Sequence, residues 1–147
     1  MAITSKFSIM CDELRVENNG KLFIIGMYSP DMSVPQLPFV LPTLTFVFWL
    51  ECDRPGSYQF NARLAHLESG AVITQAMGGF GINATRPGAV GLLPIRLMGL
   101  RFSQAGAHTF SLQFQGEQEI QHHFQLILNV PAMPMLGNPP GQGFPIR

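Results

Sequence analysis

Residues 44–52, with the sequence Leu-Thr-Phe-Val-Phe-Trp-Leu-Glu-Cys, are apolar on both faces of an extended chain. Side chains alternate between the two faces of a β-strand, so leucine, phenylalanine and cysteine share one face while Val47 and the single tryptophan, Trp49, lie on the other. A strand of this kind either lies in the centre of a sheet or needs a cover from a tail or another chain. The segment therefore predicts a β fold in which this strand is either central or covered by a tail or another chain.

The rest of the sequence consists of short alternating segments separated by turns. Residues 58–64 are the clearest example, because apolar and polar side chains alternate there without interruption. About eight strands are predicted in this way, and no segment has the 3.6-residue period of a helix. We therefore expect an all-β chain that folds as a single antiparallel β-sandwich. Strand number leaves the connection order open between an immunoglobulin-like fold and a jelly roll.

Turn residues predict how the first strands are connected. The Asn-Asn-Gly sequence at residues 18–20 is typical of a tight hairpin, so residues 21–28 are expected to pair antiparallel with residues 7–16. Because residues 22–28 are apolar on both faces, we expect them to form an inner strand. Gly26, within this strand, indicates a bulge or a close approach of another part of the chain.

Proline and glycine define two connections. Three prolines between residues 35 and 42 predict an extended crossing segment that does not join the interior of a sheet. The glycine-rich residues 78–91 predict a long exposed loop. Loops of this length in compact domains are often functional.

The sequence predicts two regions, a β-sandwich domain over residues 1–128 and an extended C-terminal arm over residues 129–147. The arm contains five prolines and three glycines, which prevent it from forming a strand ladder or a long helix. Bulky apolar residues are scattered among them. We expect the arm to lie against its own domain or against a neighbouring copy.

The charge composition favours association with proteins. Nine basic residues balance nine acidic ones, and charged residues make up only 12% of the chain. A chain with zero net charge lacks the self-repulsion that keeps molecules apart. Nucleic acid is not an expected partner, because phosphate binding requires a clustered excess of lysine and arginine.

The N-terminal residues, the length of the apolar runs and the two cysteines indicate the cellular compartment. The first residues lack the apolar region of a secretory signal, and no apolar run is long enough to cross a bilayer, so no membrane partner is predicted. We expect a cytoplasmic protein, or a virion-associated one if a phage encodes it. Cys11 and Cys52 fall on the apolar sides of their strands and are expected in the core as reduced thiols, with a disulfide between them as the alternative.

The sequence contains no recognisable catalytic, metal or cofactor motif. His122 and His123 are adjacent, so on a strand they point to opposite faces, which places one in the core and one on the surface rather than on a shared metal ion. Residues 78–81 resemble a phosphate-binding loop only in their glycines, and no helix follows to supply its N-terminus. We predict a protein that is not an enzyme and binds no cofactor or metal.

Residues 11–15, 20–28 and the proline-punctuated run to Pro42 resemble the opening of an uncharacterised family of small bacterial proteins, a domain of unknown function. The resemblance extends over residues 7–128 and leaves the arm outside. It implies a β-sandwich and a bacterial or phage setting. The family offers no catalytic residues that could be assigned to this chain.

These observations lead to a structural or interaction protein that self-associates or binds a larger protein assembly, such as a phage or bacterial particle. The alternative is a sandwich that binds or senses a small ligand, in a pocket between the sheets or under residues 78–91. The predicted contacts come from the apolar sheet face and from the arm: Val47, Trp49, Met133, Met135, Leu136, Phe144 and Ile146.

Overall fold

The computed structural model describes residues 3–83 and 88–129, and these residues form nine β-strands and no helix. This confirms the prediction of an all-β chain. None of the described residues belongs to a helix that could span a membrane. In chain order the strands are β1 (Ile3–Val16), β2 (Leu22–Tyr28), β3 (Met32–Val34), β4 (Phe39–Cys52), β5 (Gly56–His66), β6 (Val72–Ile82), β7 (Val90–Phe102), β8 (Gly106–Phe114) and β9 (Ile120–Leu128).

The strands form two sheets. The four-stranded sheet has the order β2-β1-β4-β7, and every pair in it is antiparallel. The five-stranded sheet has the order β3-β9-β8-β5-β6, in which only the β3–β9 pair is parallel. The predicted β1–β2 hairpin is confirmed, with Gly20 at a φ of +82° in its turn. Strands β8 and β9 also pair antiparallel.

Aromatic side chains fill the space between the two sheets. The Phe46 ring on β4 stacks on the Phe110 ring on β8, with centroids 4.1 Å apart and 2° between the ring planes. Strand β4 lies between β1 and β7, which confirms the central position predicted from its two apolar faces. The largest side chains that are fully buried include Phe46, Phe48, Phe102, Phe110, Phe114, Met10, Met32, Leu44 and Leu50.

Strand β2 is an edge strand, and its prediction as an inner strand was wrong. It pairs with β1 on one side and has no described strand on the other. Its apolar side chains are largely exposed rather than buried between neighbours: the exposed fractions of Phe23 and Met27 are 55% and 54%. Apolar side chains on both faces of a strand thus accompany exposed apolar surface at the sheet edge in β2, whereas in β4 they accompany a central position.

Two predicted connections contain strand structure. The proline-rich segment contributes β3, and β4 begins at Phe39. The predicted loop of residues 78–91 begins inside β6 and ends inside β7, while residues 84–87 lie outside the described ranges. Gly91 allows β6 and β7 to pack closely here, because the Phe80 ring occupies the position that a Cβ at Gly91 would need. The pattern of close glycine contacts is not visible in the linear sequence.

The two cysteines are free, buried and far from each other. Cys11 lies opposite Thr45 in the β1–β4 ladder, and Cys52 lies opposite Ile3 at the other end of it. Their side chains point to opposite faces of the sheet. Cys11 lies beside the outward-facing Met27, whereas Cys52 belongs to the core between the sheets. The prediction of reduced thiols is confirmed, and the expectation that they could be neighbours in the core was wrong.

Strand β9 lies between β8 and β3, so it is not the edge of the five-stranded sheet. Ile120, Phe124 and Leu126 are buried, whereas Leu128 at its end is 43% exposed. The Asn129 amide donates a hydrogen bond to the Val34 carbonyl just beyond β9. The arm predicted for residues 129–147 lies, apart from Asn129, outside the described residues.

Candidate functional site

The four-stranded sheet has an apolar face on the side that points away from the five-stranded sheet. In its ladder, Phe7 lies opposite Trp49, and Trp49 lies opposite Leu92. The Phe7 and Trp49 rings stack with centroids 4.2 Å apart and 16° between their planes. The surface, named here the outer apolar face, consists of Phe7, Ile9, Phe23, Ile25, Met27, Val47, Trp49 and Leu92.

Strand β2 extends this face toward the edge of the sheet. The register places Met27 beside Cys11 and Phe23 beside Arg15, so both apolar side chains share the side that carries Phe7. More than half of each of Phe7, Phe23 and Met27 is exposed to solvent. Single exposed apolar residues are ordinary, but a contiguous set on one sheet face is typical of an interaction surface.

Ion pairs lie at both ends of the outer apolar face. The Lys6 ammonium contacts the Glu51 carboxylate at one end. At the other end, Arg15 Nε donates to Glu13 Oε1 at 3.2 Å. These charges offset each other locally, so they leave the face without a strong single-sign field that would select a charged partner.

The predicted interaction residues fall into three groups. Trp49 is half-buried on the outer apolar face, as its position in the ladder requires. Val47 shares that face but is fully buried, because Ile9 and Pro94 flank it on the two neighbouring strands; it cannot contact a partner directly. The remaining five, Met133, Met135, Leu136, Phe144 and Ile146, lie outside the described residues.

The sequence prediction missed the most exposed members of the face, Phe7, Phe23 and Met27. Ser8 and Met10 point into the interior, so the alternate residues Phe7 and Ile9 point outward. The sequence placed Cys11 on the core side of its strand together with Phe7 and Ile9, and this was wrong, because all three face outward. The register with β4 supplies the missing information.

Adjacent histidines on β9 point to opposite faces, as predicted. His122 Nδ1 lies 2.7 Å from Ser8 Oγ on β1, which joins the two sheets by a hydrogen bond. Burial, followed by the nearby His123, lowers the pKa of His122. His123 is exposed and its Nδ1 lies 2.8 Å from Thr109 Oγ1 on the outer side of the five-stranded sheet.

The Ser8–His122 pair has only part of a nucleophile–base arrangement. Such catalysis requires a third group that orients the base and donors that stabilise an oxyanion. Within residues 3–83 and 88–129, the other contact of the His122 ring is the Phe46 ring, 5.6 Å away. The pair is therefore best explained as a polar link between the sheets.

A second histidine pair is buried near the turn that precedes β8. His66 Nδ1 lies 2.7 Å from Ser69 Oγ, and its Nε2 lies 3.0 Å from the Ala105 carbonyl oxygen. His108 Nδ1 lies 2.9 Å from the Gly106 carbonyl oxygen, whereas His108 Nε2 is buried and has no hydrogen-bond partner in the part of the chain that the structure describes. Burial is the main cause that lowers the pKa of His108. This pair was not singled out from the sequence.

Two ionisable side chains under the outer apolar face, Cys11 and Tyr28, are held in their neutral forms. Burial, and then the neighbouring Asp12, raises the pKa of the Cys11 thiol. The Tyr28 hydroxyl donates a hydrogen bond of 2.8 Å to Asp12 Oδ1. Burial and this bond raise the pKa of Tyr28 to about 12. A protonated, buried thiol is a poor nucleophile, so this region is not arranged for cysteine chemistry.

Several surface cavities provide space for small molecules. One, of about 270 Å³, lies on the outer side of the five-stranded sheet, where Arg63 is a lining residue whose guanidinium has no partner among the described residues. Another, of about 350 Å³, lies beside Gly81 and Asn83 at the start of the predicted glycine-rich loop. Among the described residues, no three histidine, cysteine, aspartate or glutamate side chains are grouped to hold a metal ion.

Solved structures similar to this chain are parts of much larger proteins. Crystal structures of β-glucosidase from Listeria innocua match with glucose bound (9% identity, TM-score 0.44) and with isofagomine bound (10% identity, TM-score 0.41), each over 69% of this chain and 15% of that chain. The complex with gluconolactone matches over 84% of this chain and 17% of that chain, at 9% identity and a TM-score of 0.42. The chain thus spans less than a fifth of those enzymes.

The comparison with protein families gives a more extensive match. No curated protein matches the chain. The model of a family of unknown function, DUF6941, matches residues 6–127, which include all nine strands apart from the first residues of β1 and the last residue of β9. This agrees with the resemblance noted in the sequence. The chain belongs to this family of unknown function.

Proposed function

We propose that this chain is a non-enzymatic interaction protein, built as a β-sandwich, that self-associates by burying its outer apolar face against a second copy. The observation that carries the proposal is the stack of Phe7 on Trp49, continued across the sheet by other partly exposed apolar side chains. Removing apolar surface from water contributes roughly 25 cal/mol per Å². A face that stays in water does not contribute this favourable free energy, whereas a face buried against a second copy does.

The charge balance supports a second copy as the occupant. With nine basic and nine acidic residues, two copies approach each other without net repulsion. The ion pairs Lys6–Glu51 and Glu13–Arg15 remain at the margins of the face, where water still reaches them. The C-terminal arm, with its apolar residues between prolines, would add contacts along the neighbouring copy at a reduced entropy cost.

Sedimentation velocity of the full chain tests this function. We expect a species of at least twice the 16.2 kDa chain mass at micromolar concentration. Phe7→Gln should weaken association about tenfold or more, since burying a phenylalanine contributes roughly 1.5–3 kcal/mol. Met77→Gln is the matched control, because Met77 is 84% exposed on the other sheet and should leave the mass unchanged.

A chain ending at Asn129 separates the contribution of the arm from that of the face. Association that weakens in this shorter chain and weakens further with Phe7→Gln supports both contributions. A monodisperse monomer for the full chain at all concentrations would overturn self-association.

The setting proposed for this assembly is the cytoplasm or a phage or bacterial particle. The two free, buried cysteines support a reducing compartment, since oxidising compartments favour paired cysteines.

Small-ligand binding is the second candidate function, and the uncommitted Arg63 in the cavity on the five-stranded sheet favours it. A ligand that binds only the native state raises the melting temperature, and the rise grows with the ratio of its concentration to its dissociation constant. Thermal-shift screening against neutral and anionic metabolites should then find compounds whose effect is lost in Arg63→Gln. A screen without such compounds favours the interaction protein.

A further inference from the structure

The outer side of the five-stranded sheet carries a polar groove. Three adjoining cavities, of about 290, 270 and 100 Å³, lie along it. Asn61 lines the first and the second of these cavities, and Arg63 lines the second and the third. The groove therefore follows strand β5 from Gln59 to Ala65, a length of about 20 Å at roughly 3.3 Å per residue.

Small side chains form the floor of this groove, and long polar side chains form its walls. Ser111 and Thr109 on β8 point to the outer side of the sheet, because the core residues of β8 alternate with them. Nevertheless, only 8% of Ser111 and 7% of Thr109 are exposed. The register places Ser111 between Arg63 on β5 and Gln121 on β9, so these longer side chains shield it from solvent.

The lining of the groove is rich in amides and has no net charge. Among the described residues that line the three cavities, the basic Arg63 is balanced by the acidic Glu119. A lining without net charge attracts neither anions nor cations strongly, which favours a neutral ligand. The amide side chains of the lining are Gln59, Asn61, Gln75, Gln113, Gln115 and Gln121.

Two of these amides are held in a defined orientation. Gln113 Nε2 donates hydrogen bonds of 2.9 and 2.6 Å to the carbonyl oxygens of Phe114 and Glu117. Gln121 Nε2 donates to Glu119 Oε1. Carbonyl and carboxylate oxygens can only accept, so the amide nitrogens must face them. The Oε1 atoms of Gln113 and Gln121 are thus left free to accept hydrogen bonds from a ligand.

Arg63 supplies the complementary donors, since its guanidinium has no partner among the described residues. A hydroxyl group both donates and accepts, so a series of hydroxyls can bond to this guanidinium and to the free amide oxygens. A phosphate or carboxylate offers mainly acceptors, and an ammonium offers only donors. Met77, which is 84% exposed and lines the same cavity, provides a polarisable apolar contact for the C–H groups of a sugar ring.

We propose that this groove binds a neutral, extended glycan whose hydroxyls bond to Arg63, Gln113 and Gln121. The inference rests on the second candidate function, whose ligand class it names, and is independent of self-association through the outer apolar face. A peptide strand is a poorer occupant, because β5 and β8 beneath the groove each pair with a neighbour on both sides. They therefore offer no ladder of free backbone groups to a peptide.

Titration of the unmodified full chain with neutral hexasaccharides tests the ligand class. The probes are cellohexaose, maltohexaose, mannohexaose and xylohexaose, and the readout is the amide NMR spectrum. At least one probe should shift the signals of residues 59–63 and 111–113 while leaving residues 22–28 on the other sheet unchanged. A shift pattern without residues 59–63 and 111–113, or no binding by any of the four, overturns the proposal.

Two comparison ligands of similar length test whether a neutral glycan is preferred. Hexagalacturonate carries carboxylates on a glycan chain, and a hexaserine peptide carries hydroxyls on a peptide chain. Both should bind more weakly than the best neutral hexasaccharide. Equal or tighter binding of hexagalacturonate would contradict the preference for a neutral ligand, and equal or tighter binding of hexaserine would assign the groove to peptides.

A pair of variants tests the site itself by isothermal titration calorimetry with the best hexasaccharide. Arg63→Gln should weaken binding about tenfold or more, because it removes hydrogen bonds from a charged donor. Gln125→Ala is the matched control, since Gln125 is an exposed amide on β9 that lines none of the three cavities. Unchanged binding by Arg63→Gln, or an equal loss in Gln125→Ala, overturns the site.

The outcomes separate this inference from both candidate functions. If no hexasaccharide binds but metabolites bind through Arg63, the ligand class is wrong and small-ligand binding stands. Phe7→Gln lies on the other sheet and should leave glycan binding unchanged. A full chain that remains a monomer and binds a hexasaccharide would refute self-association alone.

Discussion

The His108 imidazole stacks on the Phe124 ring, with centroids 5.4 Å apart and 17° between the planes, and its Nε2 has no hydrogen-bond partner among the described residues. Phe102 lies edge-on to the same imidazole. Burial among these rings thus favours the neutral imidazole, whose Nδ1 donates to the Gly106 carbonyl. A protonated His108 would place a second N–H donor where residues 3–83 and 88–129 offer no acceptor.

We therefore expect stability to fall as the pH decreases below about 6.5, the ordinary histidine pKa. Burial lowers the pKa of His108 in the native state, so the unfolded chain takes up a proton that the native chain does not. The loss reaches at most about 1.4 kcal/mol per pH unit for each such histidine, until the pH passes below the native pKa. Denaturant unfolding between pH 7.5 and 5.5 measures it.

His108→Phe should reduce this pH dependence while costing about 1 kcal/mol at neutral pH for the lost bond to Gly106. His122, whose pKa is also lowered by burial, should account for a remaining slope. The exposed Gln125 on the same strand provides the control: Gln125→Asn should keep the slope of the unmodified chain. An unchanged slope in His108→Phe would contradict the explanation.

Phe46→Ala should destabilise the chain by about 3–5 kcal/mol, because it opens a cavity where the Phe46 ring stacks on Phe110. Met98→Ala, at a position 70% exposed, should change the free energy of unfolding by less than about 0.5 kcal/mol. Urea unfolding compares the two variants. Similar losses would show that Phe46 does not join the sheets as described.

Gly26→Ala should be more destabilising than Gly116→Ala. Both glycines have positive φ values, +65° and +77°, so an alanine adds backbone strain of about 1–2 kcal/mol at either position. At Gly26 the Asp12 carboxylate occupies the space that a Cβ would need, whereas no atom lies within 4 Å at Gly116. The difference in unfolding free energy between the two variants measures this steric contribution, and equal losses would rule it out.

Cys11 and Cys52 should react with a thiol reagent only when the chain unfolds. Both are buried, and burial raises the pKa of each thiol. The native protein should therefore show no fast reaction at pH 8 and two reactive thiols in denaturant. A fast reaction of one thiol in native buffer would indicate an open route to that residue.

The sequence predicts the strands better than their positions in the sheets. Alternation located Gly56–His66 and the last two strands, because one side of each is clearly polar. Alternation did not predict the edge position of β2, since apolar side chains on both faces are compatible with a central strand and with an edge strand whose apolar side chains are exposed. Only the pairing partners distinguish the central Phe39–Cys52 from the edge strand Leu22–Tyr28.

The candidate surface was only partly predictable for the same reason. Trp49 and Val47 share a face, as alternation requires, but their neighbours differ: Val47 has a flanking side chain on both sides and is buried. Phe7 became visible only through its register opposite Trp49. Membership of an exposed surface depends on contacts between distant segments, which composition and periodicity do not encode.

Because Trp49 is the only tryptophan of the chain and is stacked under the half-exposed Phe7, its indole emission reports on a single place in the molecule. Displacement of water from that ring pair would shift the emission to shorter wavelength, while events on the five-stranded sheet would leave the spectrum unchanged. The chain therefore carries its own optical probe for the occupancy of the outer apolar face.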